Sequence, residues 1–215
     1  NKLRVQYCKK SYVGKISPKD LVISLPRTLA EGLKECEVSA VSCSVSIADL
    51  TTEEISVESV SGAVLLENIV TSELDIDAVS GKIEILSTTA KSLRIDTISS
   101  SITVDGTIKN AKLSSVSGGA TLNLDGCEKA RCSTVSGPLT VCFVQCPDEV
   151  KVDTTSSDVR IQLPPDANIR VDMDSMSGSL YLNEEKVSNK EIVLHEGSAR
   201  CSVDTMSGNA YIITK

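Results

Sequence analysis

The chain is poor in aromatic residues: they make up 2% of its 215 positions, with no Trp and a single Phe. A core must therefore be built from Val, Ile, Leu, Ala and Met, side chains that suit stacked strands. Positive charge is not in excess either. The formal net charge of −7 argues against nucleic acid as a partner, because phosphate binding needs a basic patch. No run of like charge is long enough for an interaction tail. No apolar run nears the roughly 18 residues of a membrane span. No secretory signal pattern opens the chain, although it begins at Asn1 rather than Met, so a leader, an anchor or a further domain is expected outside it. A sustained i, i+3, i+4, i+7 pattern with caps is also lacking, which excludes a helical architecture.

A short motif is abundant instead. It reads Ser59-Val60-Ser61-Gly62, Ala78-Val79-Ser80-Gly81, Ser115-Val116-Ser117-Gly118, Thr134-Val135-Ser136-Gly137, Ser175-Met176-Ser177-Gly178 and Thr205-Met206-Ser207-Gly208. Degenerate copies are Ala40-Val41-Ser42-Cys43, Thr97-Ile98-Ser99-Ser100 and Thr154-Thr155-Ser156-Ser157. Most steps between the fourth places are 18 to 21 residues, and the last, from 178 to 208, is 30. A period near 19 held this long is the signature of a solenoid. Period-2 alternation flanks each motif, as in Leu74-x-Ile76 before Gly81 and Ile83-x-Ile85 after it. Each repeat thus offers two short strands joined at a Ser-Gly corner. A shorter apolar spot at Leu50, Ile69 and Leu124 suggests a third side.

These signals predict an all-β fold, a parallel β-solenoid of about nine to ten coils. Crossover handedness favours a right-handed wind. Residues 1–20 read as an N-terminal cap or edge segment, and residues 21–215 as one repeat domain. Leu21 to Pro26 matches Val159 to Pro164 and reads as the second half of a turn. The long last step implies an insertion at about 184–197, expected to project as a loop or small hairpin. Gly suits the corner because it permits positive φ and close backbone approach. Ser is constant, and its hydroxyl can bond backbone groups freed at the bend. A row of nucleophilic serines is the other reading, but a nucleophile needs a base, and His195 is the only His.

The recurring Asp-x-Val-Ser-Gly-x-Ile-x-Ile pattern, as at Asp77 to Ile85, resembles a bacterial adhesin-like family of unknown function, a VSG-repeat parallel β-helix domain. The resemblance covers roughly residues 20–215. It implies a β-solenoid in an envelope-associated or anchored protein, with no catalytic residues to carry over. A cell-envelope or extracellular location follows from it. Eight cysteines keep a cytoplasmic location as the alternative.

Four places before the corner stand Glu58, Asp77, Asp96, Asp153, Asp174 and Asp204, with Ser114 and Ser133 between them. Two places further back stand Asp75, Arg94, Lys112, Arg131 and Lys151. Alternation points both sets outward, as an acidic column beside a largely basic one. Such a face either keeps the sheet soluble or meets a protein or glycan. Stacked carboxylates could attract a cation, but a basic neighbour such as Arg94 opposes this, so no metal or cofactor is expected. Tyr181 and Tyr211 share one outward place, as a contact for a partner or as cover for the insertion. Cys127 and Cys146 each lie nine places after a corner and are the first choice for a disulfide under oxidising conditions. Cys36, Cys132 and Cys201 read as inward core residues, while Cys127, Cys132, Cys142 and Cys146 lack the CxxC spacing of a zinc site. The function expected is a non-catalytic structural or interaction domain. The alternative is a polysaccharide-active β-helix enzyme, by analogy of fold.

Overall fold

The structure, a computed structural model, describes residues 22–26 and 32–215. The segment 1–20, expected as a cap, and Leu21 lie outside the described residues. Residues 22–26 form no strand, and Val22, Ile23 and Leu25 are exposed. The expected half-turn is thus not formed there: a lone apolar stretch gains nothing from strand geometry without a rung beside it.

All described regular structure is strand. In chain order these are β1 (Glu35–Ala40), β2 (Val45–Ala48), β3 (Glu54–Ser61), β4 (Val64–Glu67), β5 (Val70–Ser117), β6 (Ala120–Asp125), β7 (Lys129–Ser136) and β8 (Leu139–Phe143). They continue as β9 (Glu149–Thr154), β10 (Val159–Leu163), β11 (Ile169–Ser175), β12 (Leu180–Leu182), β13 (Glu185–Val187), β14 (Glu191–Val193), β15 (Ala199–Thr205) and β16 (Ala210–Thr214). Pairing between coils is parallel and in register: Ile55 lies beside Leu74, Val64 beside Ile83, Ala130 beside Val150. The fold is a parallel β-solenoid of about 7 turns with a period near 19 residues. That is fewer than the nine to ten expected.

Alternation explains the core. Val57, Ile76, Ile95, Leu113, Cys132 and Val152 form one buried inward column before the corner, and Val64, Ile83, Ile102, Ala120, Leu139 and Val159 form another after it. Leu50, Ile69 and Leu124 are buried as well. Rungs about 4.8 Å apart let each apolar side chain meet like neighbours above and below. Among the described residues the first rung has a partner on one side only, and its inward Cys36 and Val38 are half-buried.

The corner serine has the role its constancy suggests. Ser61 Oγ donates to the Val41 carbonyl (3.1 Å), Ser80 Oγ to Val60 (3.3 Å), Ser117 Oγ to Ile98 (3.3 Å) and Ser177 Oγ to Met206 (3.4 Å). Each hydroxyl thus ties the corner to a carbonyl of the neighbouring coil, and at Val41 and Met206 that carbonyl also accepts the same serine's amide, at 2.9 and 3.1 Å. Where glycine is present, it is less replaceable than its absence at Cys43, Ser100 and Ser157 suggests. Gly81 has φ of 134°, and a Cβ there would collide with the Gly62 carbonyl oxygen of the coil below. A second corner uses Asp49, Asn68 and Ser87, all with positive φ. Asn and Asp tolerate that conformation best among non-glycine residues, and Asn68 Nδ2 also donates to Asp49 Oδ1 (3.0 Å).

Beyond β10 the chain leaves sequence order. β15 pairs with β9 on one side and β11 on the other; β16 likewise lies between β10 and β12. The final coil thus fills the rung between the coil before it and the coil before that. Residues 169–182 become the terminal rung. The insertion does not project as expected. β13 pairs antiparallel with β12, and β14 antiparallel with β11, so the segment lies along the open end of the stack. Covering an edge this way removes a ladder of unpaired backbone groups.

Candidate functional site

The acidic residues predicted to face outward do so. Glu58 and Asp77 are neighbours on adjacent rungs, as are Ser133 and Asp153, then Asp153 and Asp204, then Asp204 and Asp174. The basic column stands two places back along each strand, with Lys112 beside Arg131 and Arg131 beside Lys151. Several ion pairs run along a strand rather than between rungs. Arg94 Nη2 lies 2.6 Å from Asp96 Oδ2, and Lys151 Nζ lies 3.6 Å from Asp153 Oδ1. Arg131 turns instead to Glu149 at 3.4 Å. Among the described residues no Lys or Arg forms an ion pair with Glu58, Asp77, Asp174 or Asp204.

The electrostatics differ along this column. Partial burial works against the Asp96 charge, but the Ser114 hydroxyl and Arg94 outweigh it and hold the carboxyl below its ordinary range. Asp204 goes the other way: partial burial, then the Asp153 carboxylate beside it, push its carboxyl up. Lys151 pulls the other way but does not offset them.

Sequence reasoning missed a second column. The apolar residue two places before each corner is exposed. In spatial order these are Val41, Val60, Val79, Ile98, Val116, Val135, then Thr155, Met206 and Met176. Exposure of the eight apolar members runs from 43% at Val79 to 82% at Met176. The signal was present: this position shares the outward parity of the acidic residue two places earlier. A groove of about 720 Å³ lies between the two columns from Ser39 to Val135. A further groove of about 450 Å³ adjoins it, shares Ser133 and Val135, and reaches Met206 and Met176. Its floor is a buried column before the corner that includes Ser59, Thr97, Ser115, Thr134, Thr154 and Thr205. The Ser59, Thr134, Thr154 and Thr205 hydroxyls have no hydrogen-bond partner among the described residues.

The tyrosines stack on the strand face after the corner. Tyr181 and Tyr211 are register neighbours with ring centroids 4.9 Å apart and planes 13° apart, and the Arg160 guanidinium lies 5.0 Å from the Tyr211 centroid. Both rings are half-buried, and Lys186 of β13 pairs with Tyr181. The insertion thus borders the tyrosine pair within the sheet. His195 Nδ1 hydrogen-bonds the Ala167 carbonyl oxygen at 2.9 Å, a structural bond within the same end of the stack.

The described cysteines are free thiols. Cys132 and Cys201 are buried in the core, where desolvation pushes each thiol up to about 12. Cys36, also placed inward, is half-buried on the first rung. Cys127 Sγ donates to the Lys129 carbonyl (3.5 Å) and Cys146 Sγ to the Pro147 carbonyl (3.6 Å). No group of three or more His, Cys, Asp or Glu side chains among the described residues is arranged to hold a metal ion. No helix among them is long and apolar enough to cross a membrane.

These features define a β-solenoid domain that presents strand faces and a groove along one corner. The chain belongs to the Toastrack DUF4097 family, a domain family of unknown function, whose model it matches over residues 2–212. A comparison with curated proteins gives no match, and a comparison with solved structures gives none either.

Proposed function

We propose that the chain is a non-catalytic interaction domain, an adhesin-like or cell-envelope scaffold module, and that the corner groove is its binding face. The observation that carries this reading is the exposed apolar column. Isolated apolar residues on a surface are ordinary, but a contiguous line of them marks a contact site. The backbone does not demand apolar residues there. Thr155 holds the same place, and its carbonyl still accepts from the Ser207 amide at 3.0 Å. Binding spread along a repeat-built surface is how solenoids engage partners.

A photo-crosslinking residue at Val79 in the native cell tests the reading. The expected result is a captured protein or glycan partner that survives single threonine changes in the column and is lost when Val60, Ile98 and Val116 all become Thr. Capture that ignores the triple change, or glycan turnover abolished by one substitution elsewhere, would overturn it.

A further inference from the structure

Resting on that reading, we infer that the corner groove takes a cationic amphipathic helix laid along the stack axis. Three observations converge. First, the apolar column offers one side chain per rung at about 4.8 Å. A helix presents one apolar stripe position per turn at about 5.4 Å, so several turns stay in step with successive rungs. An extended strand repeats its face every two residues, about 6.6 Å, and falls out of step at once. Second, the groove holds about 720 Å³ over six rungs, space for roughly one aliphatic side chain per rung and too little for a whole helix. The helix backbone therefore lies above the groove and its apolar side chains enter it, as in helix-in-groove recognition. Third, one wall carries free carboxylates toward both ends: Glu58 and Asp77 line the larger groove and Asp174 and Asp204 the adjoining one, with Ser114 and Ser133 between them. Glu58, Asp77, Asp174 and Asp204 form no ion pair with any described Lys or Arg, and the chain carries a net charge of −7. Lys or Arg beside the helix's apolar stripe would meet these carboxylates.

The same facts weigh against two other occupants. A second copy of the chain would bring an equally acidic surface to the groove. A sugar is best held on an aromatic platform, and the stacked Tyr181 and Tyr211 lie on the strand face beyond the corner.

The test uses two labelled synthetic helical peptides of about 20 residues, long enough to span about 30 Å of the groove. They share a Leu stripe and differ only in flanking Lys or Glu. Fluorescence anisotropy against the intact chain is expected to show the Lys peptide binding at least about tenfold tighter than the Glu peptide, and weakening as salt rises. The set Val60→Thr, Val79→Thr, Ile98→Thr and Val116→Thr is expected to lose at least about tenfold in affinity. Thr fits a strand, and a thermal melt checks that the fold is kept. The set Glu58→Gln, Asp77→Asn, Asp174→Asn and Asp204→Asn is expected to flatten the salt dependence. Equal affinity for the two peptides, or Lys-peptide binding untouched by the threonine set, overturns the inference. If neither peptide binds while the crosslinked partner is still lost from the threonine variant, the helix inference fails and the binding face stands. A dimer seen in sedimentation and abolished by the threonine set would reassign the groove to a second copy.

Discussion

The coils up to β10 and the two coils after it are made from one repeat, yet they stack by different rules. In the first region each coil lies on its predecessor: β3 on β1, β9 on β7. In the second the chain passes over one rung, builds the terminal coil, and returns to fill the rung it left. The comparison separates two kinds of information. Strand alternation and the Ser-Gly corner say that a segment is a coil. They do not say which coil it lies beside, because every coil offers the same columns. Placement at the C-terminus is marked by side chains at the seams. Asn168 Oδ1 accepts from the Glu196 and Ser198 amides at 3.0 and 3.1 Å, Asp158 Oδ1 from the Asn209 amide at 3.0 Å, and Asn209 Oδ1 from the Ser179 amide at 3.1 Å. The Asp158–Asn209 bond joins coils that are not sequence neighbours, and the others tie the returning last coil to the terminal rung before it.

The largest expected contrast comes from deletion. Removing residues 199–215 takes away a rung with neighbours on both sides. Cys201, Val203, Ala210 and Ile212 are all buried, so the loss is on the order of 5 kcal/mol or more, or roughly 10–20 °C in Tm. Removing one whole period from the first region, residues 82–100, lets the coils above and below close into register again and is expected to cost less than half of that drop. Equal losses in thermal unfolding would mean that the interleaved rung is no more deeply embedded than any other.

A smaller contrast tests the floor of the groove. Thr154 and Thr205 are register neighbours in the interleaved region, buried with hydroxyls that find no partner. A buried unsatisfied hydroxyl is a net cost, so Thr154→Val and Thr205→Val are expected to leave stability unchanged or raise it by up to about 1 kcal/mol each. In the first region Thr71 Oγ1 reaches the Glu73 carbonyl at 2.9 Å and the Glu53 carbonyl at 3.0 Å. Thr71→Val is expected to cost about 1 kcal/mol. Denaturant unfolding of the three variants decides this, and a loss in all three would mean that the floor hydroxyls are bonded after all.

Much of the molecule was legible in the sequence. The period, the two strands per coil, the inward Ile83 and Ile95, and the outward Asp77 and Asp96 all follow from alternation around a repeated turn, and alternation is a local property. The misses share a cause. The strands Glu185–Val187 and Glu191–Val193 are 3 residues each, too short to show a period, so the insertion read as a projection rather than an edge cover. The order of the last two coils is a non-local choice among equivalent rungs. The apolar wall of the groove is in view as the Val, Ile or Met of eight of the nine motif copies. Its exposure shows only once the corner is folded, and Thr155 shows that the corner accepts a polar residue there.

The groove runs unbroken from Val41 to Met176 only if Thr155 and Met206 are neighbours, which requires the interleaved order. Engineered disulfides test that order directly. Lys151 and Ser202 are register partners, while Asp172 lies one rung beyond Ser202. Partners on adjacent rungs sit about 5 Å apart at Cα, within disulfide range, and residues two rungs apart do not. Under mild oxidation, Lys151→Cys with Ser202→Cys is expected to form an intramolecular bridge, identified by peptide mass, and Lys151→Cys with Asp172→Cys is expected to form none. A bridge in the second pair and none in the first would contradict the interleaved stack and, with it, the continuous groove.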